Sequence, residues 1–223
     1  MQNRYEDDLR KNNQAILKLS PANETLRFIV AQEFNKIYVS GKRCLEIGCG
    51  EGDSAKHILE NSDASLELLD ASSEMIGESR KNLAGYSERI KYITSDALAY
   101  LGEADPYDII FSEWTIHNFK WEDKKKLFSA IYENLAQGGW FVFMDKVYPD
   151  HGGSAFLQIQ LNRYKYLTQK AGEDIISHEK QDYLDEFRMD ETQLMDALRQ
   201  AGFKAPIIID RVERDLVVFA QKK

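Results

Sequence analysis

Cysteine is scarce in this chain of 223 residues: there are two, Cys44 and Cys49. Both fall in or beside one short apolar run, where small polarizable side chains pack well, so two reduced core thiols are expected rather than a disulfide framework or a metal pair. Long apolar runs are also missing. None approaches the roughly 18 to 20 residues that a membrane-spanning helix needs, and the opening Met1-Gln2-Asn3-Arg4-Tyr5-Glu6-Asp7-Asp8 lacks the apolar core of a secretory leader. A soluble, cytoplasmic protein with no membrane partner is the expectation. Positive charge is in deficit, with 29 Lys and Arg against 37 Asp and Glu and a net charge of −8. A polyanion such as naked RNA or DNA would need a local basic patch to overcome that field, and none of convincing size is present. No catalytic triad or metal-ligand cluster stands out, so no metal is expected.

What is present suits one globular domain over residues 1–223, with 43% hydrophobic and 30% charged residues. The chain is organised around Cys44-Leu45-Glu46-Ile47-Gly48-Cys49-Gly50-Glu51-Gly52. The first four residues suit a buried parallel strand, and the alternating glycines let the chain turn tightly into a helix starting near Asp53. Without Cβ atoms at Gly48, Gly50 and Gly52, a flat or charged group can lie against the main chain and meet backbone N–H groups. A second strand, residues 65–70, ends on Asp70, and Ser72 caps the helix after it. Residues 89–94 form a third strand, followed by Ser95-Asp96-Ala97.

The pattern strand-E-x-G-x-G-x-G, with Asp70 closing another strand 18 residues after Gly52, resembles the class I S-adenosylmethionine (SAM) methyltransferases. The dinucleotide fingerprint G-x-G-x-x-G has a different spacing. The likeness covers residues 40–145 and resumes near the C-terminus. It implies an α/β, Rossmann-like seven-stranded sheet, mostly parallel with an antiparallel last strand and helices on both faces. It implies SAM as cofactor and S-adenosylhomocysteine (SAH) as product, while the acidic surface and an insertion able to enclose a pocket favour a small-molecule acceptor, methylated on nitrogen or oxygen. By the same resemblance Glu46 and the Gly48–Gly52 backbone hold the methionine portion, Asp70 the ribose, and Asp96 with Ala97 the adenine. Met75 packs on the base, and Cys49, Ala71 and Ser112 complete the contacts. Two readings stay open here: Glu46 serves the methionine portion or its own strand-to-turn geometry, and Asp96 serves adenine, caps the turn 97–101, or both.

Ahead of the first strand, residues 2–19 and a second helix from Asn23 to Phe34 carry loose helical spacing. They form lid helices over residues 1–38 or pack on the sheet edge. Asp108 to Ser112 is a fourth strand, and the loop 113–119 follows it on the rim of the glycine turn. A helix from Glu122 to Leu135 buries Leu127, Ile131 and Leu135 and leaves Lys124-Lys125-Lys126 on its solvated side. Gln137-Gly138-Gly139 ends it, and residues 140–145 form a fifth strand. Residues 146–190 break the alternation, and their helically spaced aromatics suit an inserted cover segment. A helix from Glu191 then leads to a hairpin of residues 207–209 and 216–220 joined by a polar turn over 210–215.

Methyl transfer needs alignment above all, with a proton acceptor for the attacking nitrogen or oxygen. His117 is the candidate base, with an ordinary pKa of about 6.5, or else a structural hydrogen-bonder. His151, His178 and Glu113 rank below it. Residues 172–203 (Ile176-Ser177, Lys180, Ala201-Gly202-Phe203) carry a weaker likeness to carboxy-SAM synthase. Ala197 stands where that family has an arginine for the added carboxylate. Further readings are a protein or tRNA methyltransferase and a catalytically silent SAM-binding protein.

Overall fold

A computed structural model of the chain describes residues 20, 22–165, 167 and 169–223. Residues 2–19, with Tyr5, lie outside the described residues. The elements are helix α1 (Ala22–Ile37), strand β1 (Cys44–Ile47), α2 (Asp53–Asn61), β2 (Leu66–Asp70), α3 (Ser73–Asn82), β3 (Ile90–Thr94), α4 (Ala97–Leu101) and β4 (Tyr107–Glu113). After them come α5 (Trp121–Asn134), β5 (Leu135–Lys146), α6 (Gly153–Tyr164), α7 (Gln169–Asp182), α8 (Glu191–Ala201), β6 (Ile207–Val212) and β7 (Asp215–Gln221).

The strands form a seven-stranded sheet in the order β3-β2-β1-β4-β5-β7-β6. Strands β1 to β5 run parallel, and β7 is antiparallel to both β5 and β6. Successive side chains on a strand point to opposite faces, so two cores result. In β5 Phe141 and Phe143 pack beneath α5 and α8, while Val142 and Met144 pack beneath α1 and α2. Helix α1 presents Leu26, Val30 and Phe34, each fully buried, at helical spacing. Each such side chain contributes about 1.5–3 kcal/mol of transfer free energy. Chain order reverses between β1 and β4, and the loops beyond their carboxyl ends diverge and leave a crevice.

Three local expectations are corrected. The glycine pair 138–139 does not close a helix: α5 ends at Asn134, and β5 begins at Leu135, which pairs with Tyr107. The hairpin turn is confined to Glu213-Arg214, because pairing continues to Val212↔Asp215. Most consequentially, Lys124 is fully buried rather than solvated. Its Nζ donates to the carbonyls of His117 (3.1 Å), Phe119 and Phe187 (2.7 Å). Lys124 lies three residues before Leu127, so it shares the buried face of α5 with Leu127 and Ile131, a phase the run of three lysines concealed.

Candidate active site

The crevice opens into a cavity of about 850 Å³, the size of pockets that hold small ligands. Its first wall is the glycine turn. Gly48 N and Cys49 N donate to the carbonyl of Leu69 at 2.8 and 3.1 Å, binding the turn to the end of β2. Asp70 then ties two backbones together, accepting from Gly50 N at 3.0 Å and Ser72 N at 2.8 Å. Burial raises its pKa, and the hydrogen bonds from Ser72 and Gly50 act against that. Two glycines have separate causes. Gly48 has φ +74°, and a Cβ there would sit 2.1 Å from Thr115 Cγ2, so it admits the loop after β4. Gly50 faces open space, where a Cβ would meet nothing within 4 Å, so a ligand can reach its main chain.

Asp96 lines the adjoining wall with Ser95 and Ala97, and its Oδ1 caps α4 by accepting from Leu98 N at 3.0 Å and Ala99 N at 3.2 Å. Gly48, Cys49, Gly50, Asp70, Ala71, Met75, Asp96, Ala97 and His117 therefore border one cavity. Glu46, Gly52 and Ser112 do not. Ser112 Oγ donates to Ile47 O at 3.0 Å, stitching β4 to β1. Gly52 packs against α3, where a Cβ would come 2.7 Å from Leu83 Cδ1. Glu46 is buried behind the turn, and its Oε2 has no hydrogen-bond partner.

Glu113 and Trp114, at the start of the loop 113–119, share the cavity with Arg27 from α1, which carries no local sequence signal. Glu113 accepts from Ser54 Oγ at 2.5 Å and from Arg27 Nε at 3.4 Å, and Arg27 lies 5.1 Å from the Trp114 ring centre. Burial raises the pKa of Glu113 and, well above its ordinary value, that of Glu46. Asp53, which also borders the cavity, lies 3.7 Å from Arg27, so carboxyl groups of Glu113 and Asp53 flank the guanidinium. Trp114 is held at φ 44°, a costly backbone for a bulky residue. Its N–H donates to Met144 O and its Nε1 to Asp215 Oδ1, both at 2.8 Å.

At the far end, His117 is buried with Nδ1 2.6 Å from Asp145 Oδ1, and its backbone N–H donates to Asp145 Oδ2 at 2.9 Å. A carboxylate only accepts, so Nδ1 carries the hydrogen and Nε2 the free electron pair. Burial pushes the His117 pKa down, while Asp145 and Asp182 push it back up and Lys146 opposes them. The insertion reaches the same place: α7 brings Glu179 and Asp182 onto Lys146 Nζ at 2.9 and 2.7 Å. Arg214 Nη2 donates to Glu179 Oε1 at 2.9 Å and Nη1 to Tyr148 Oη at 3.1 Å. Lys146, Tyr164, His178, Glu179 and Arg214 line the cavity with Phe119 and Phe187. Nothing local in the sequence marked Arg27, Lys146 or Arg214, because each acquires its meaning from partners more than 30 residues away. Among the described residues no group of three or more His, Cys, Asp or Glu is placed to hold a metal, and no helix is long and apolar enough to cross a membrane.

A family model described as a methyltransferase domain matches residues 44–139. Carboxy-S-adenosyl-L-methionine synthase of Campylobacter curvus is 27% identical over 146 residues, 65% of this chain and 60% of that protein. Malonyl-acyl-carrier-protein O-methyltransferase 1 of Ilyobacter polytropus is 35% identical over 114 residues, 48% of this chain and 41% of that protein. The chain therefore spans less than two thirds of the length of these relatives. In solved structures, the fold recurs in the CurJ carbon methyltransferase (TM-score 0.71, 19% identity, covering 96% of this chain and 59% of that one). It recurs also in phosphoethanolamine N-methyltransferase 2 of Haemonchus contortus, solved with phosphomonomethylethanolamine and SAH (TM-score 0.63, 22% identity, 85% and 39%).

Proposed function

We propose that this chain, which belongs to the class I SAM-dependent methyltransferases, transfers a methyl group to an oxygen or nitrogen of a small molecule enclosed beneath residues 146–190. The observation that carries the reading is His117, which borders the same cavity as Gly50, Asp70 and Asp96 and is held from behind by the buried Asp145. The residues fit the cofactor. Bare main chain at Gly50 accepts close approach, Asp70 keeps acceptor capacity for ribose hydroxyls, and the carboxyl groups of Glu113 and Asp53 beside Arg27 offer acceptors to an ammonium group.

When bound, SAM supplies an electrophilic methyl group, whose bond to sulfur breaks with the pair returning to sulfur. The protein's own contribution is alignment, which can recover on the order of 7–11 kcal/mol of barrier. Asp145 fixes the His117 ring so that Nε2 receives the acceptor's proton while the acceptor's electron pair forms the new bond to carbon. Trp114, Phe119 and Phe187 exclude water around that line. The weaker likeness to carboxy-SAM synthase finds no support in an anion site at position 197, since Ala197 is buried in the core with Leu194 and Leu198 and does not border the cavity.

Isotope-labelled methyl SAM, offered with a metabolite extract, a protein extract and tRNA, tests the proposal: label is expected in the metabolite fraction. Calorimetry tests its premise. SAH binds the wild type, and Asp70→Ala weakens it by about tenfold or more through loss of charged hydrogen bonds; label confined to protein or tRNA, or undiminished binding by the variant, would falsify the reading.

A further inference from the structure

Two imidazoles, not one, border the far end of the cavity, and they share a carboxylate. His117 comes from the turn after β4 and His178 from α7, in the insertion, and their ring centres lie 6.3 Å apart in an edge-to-face arrangement. Asp182 Oδ2 lies 3.2 Å from His178 Nδ1 and 3.9 Å from His117 Nε2. The spacing of four residues on α7 places His178 and Asp182 on one inward face, and Asp182 itself is buried and does not border the cavity. Because its oxygen accepts from His178 Nδ1, the other ring nitrogen of His178 carries a free electron pair, and that Nε2 is buried with no hydrogen-bond partner. Each ring thus has one nitrogen bonded to a carboxylate and one that carries a free electron pair.

We propose that His117 and His178 act as one proton-accepting pair across Asp182, so that the inserted helix α7 supplies the second imidazole and the shared carboxylate of the base. This rests on the reading of His117 as the proton acceptor. The proton taken from the acceptor enters a site where Lys146 already lies 2.7 Å from Asp182. Two imidazolium ions 6.3 Å apart in a partly dry setting disfavour one another by a factor on the order of a hundred, so the second ring resists charging once the first is charged. Among the described residues charged groups reach the pair from three elements, one of them α5, whose Lys124 Nζ donates to the His117 carbonyl at 3.1 Å. Strand β5 gives Asp145 to His117 Nδ1 and Lys146 to Asp182, and α7 gives Asp182 to both rings. Glu179 and Arg214 stand one contact further out through Lys146. Asp182 is then a positioning residue that acts through the two rings.

The chain has four histidines, so their Cε1–H resonances can be assigned by single substitution and titrated in the SAH complex without knowledge of the acceptor. In the wild type the His117 curve is expected to be biphasic, its second step reporting the charge on His178, and His178→Asn is expected to make it monophasic. Asp182→Asn should lower the main His117 midpoint by about one pH unit, because a charged imidazole loses a negative neighbour, and Asp182→Glu should restore it. SAH affinity serves as the control for folding in every variant. A monophasic wild-type curve that His178→Asn leaves unchanged overturns the proposal, as does an unmoved midpoint in a folded Asp182→Asn. If Asp182→Asn does not fold, the wild-type and His178→Asn curves decide alone. Full methyl transfer by His117→Ala would remove His117 from the chemistry, a failure of the functional reading that the resonance titration registers separately.

Discussion

Replacing Lys124 by methionine keeps the length and apolar stem of the side chain and removes an ammonium that is fully buried. Three carbonyl oxygens lose a charged donor: those of His117 and Phe119, in the turn after β4, and that of Phe187, at the end of the insertion. Each unsatisfied carbonyl costs about 1–3 kcal/mol. Against this stands relief from burying the ammonium, so a net loss of about 3–5 kcal/mol is expected, the range for breaking a buried charged contact. For a domain of this size each kcal/mol lowers Tm by about 2–4 °C, which places the fall at roughly 6–20 °C. Circular dichroism melts and urea titrations of the wild type, Lys124→Met and Lys126→Met measure it. Lys126 is 66% exposed and paired with Asp123, and its replacement should leave the melt unmoved. A loss below about 1 kcal/mol for Lys124→Met, or equal shifts for the two variants, would refute the account of Lys124 as the clamp joining the His117 turn to the insertion.

His117→Ala should reduce turnover by at least tenfold with SAH affinity unchanged, and acid–base catalysis typically contributes roughly 10²–10⁴; initial rates of label transfer to the identified acceptor decide it. Burial pushes the Glu67 carboxyl up, but hydrogen bonds from Arg43, Lys91, Tyr107 and Tyr100 outweigh it and hold the pKa at about 2. A depressed carboxyl stabilises the fold fully above its unfolded value near 4.3 and loses that contribution as pH falls toward 2. Glu67→Gln should therefore be less stable than wild type at pH 7, with the gap closing between about pH 4.5 and 2 in chemical denaturation.

Glycine spacing, strand-end acids and apolar runs are local signals. The strands at 44–47, 66–70 and 90–94 fall within a residue of the expected bounds, because β1 and β2 are short and mostly apolar, as strands inside a sheet are, and β3 at the sheet edge is bounded by the polar segments on either side of it. The same pattern, through its resemblance to a known family, carried the fold class, and it placed Gly50, Asp70 and Asp96 on one cavity. Local patterns cannot say which glycine serves a ligand. Gly48 answers to Thr115 and Gly52 to Leu83, contacts made by segments far away in sequence.

The far end of the cavity was settled by tertiary structure alone. Lys124 reads as one of three like charges, and only packing of α5 turns it inward onto the carbonyls of His117 and Phe187. Arg214 sits in a turn that reads as polar and exposed, yet its guanidinium is buried on Glu179 from α7. His117 was nameable from its place after a strand; its partners Asp145 and Asp182 are 28 and 65 residues further along the chain. Short-range spacing by itself determined the strands and the glycine turn that border the crevice. Which charges desolvate one another around His117 depended on the folding of residues 146–190 back onto the strand ends, since a buried ion's properties follow from its neighbours in space rather than in sequence.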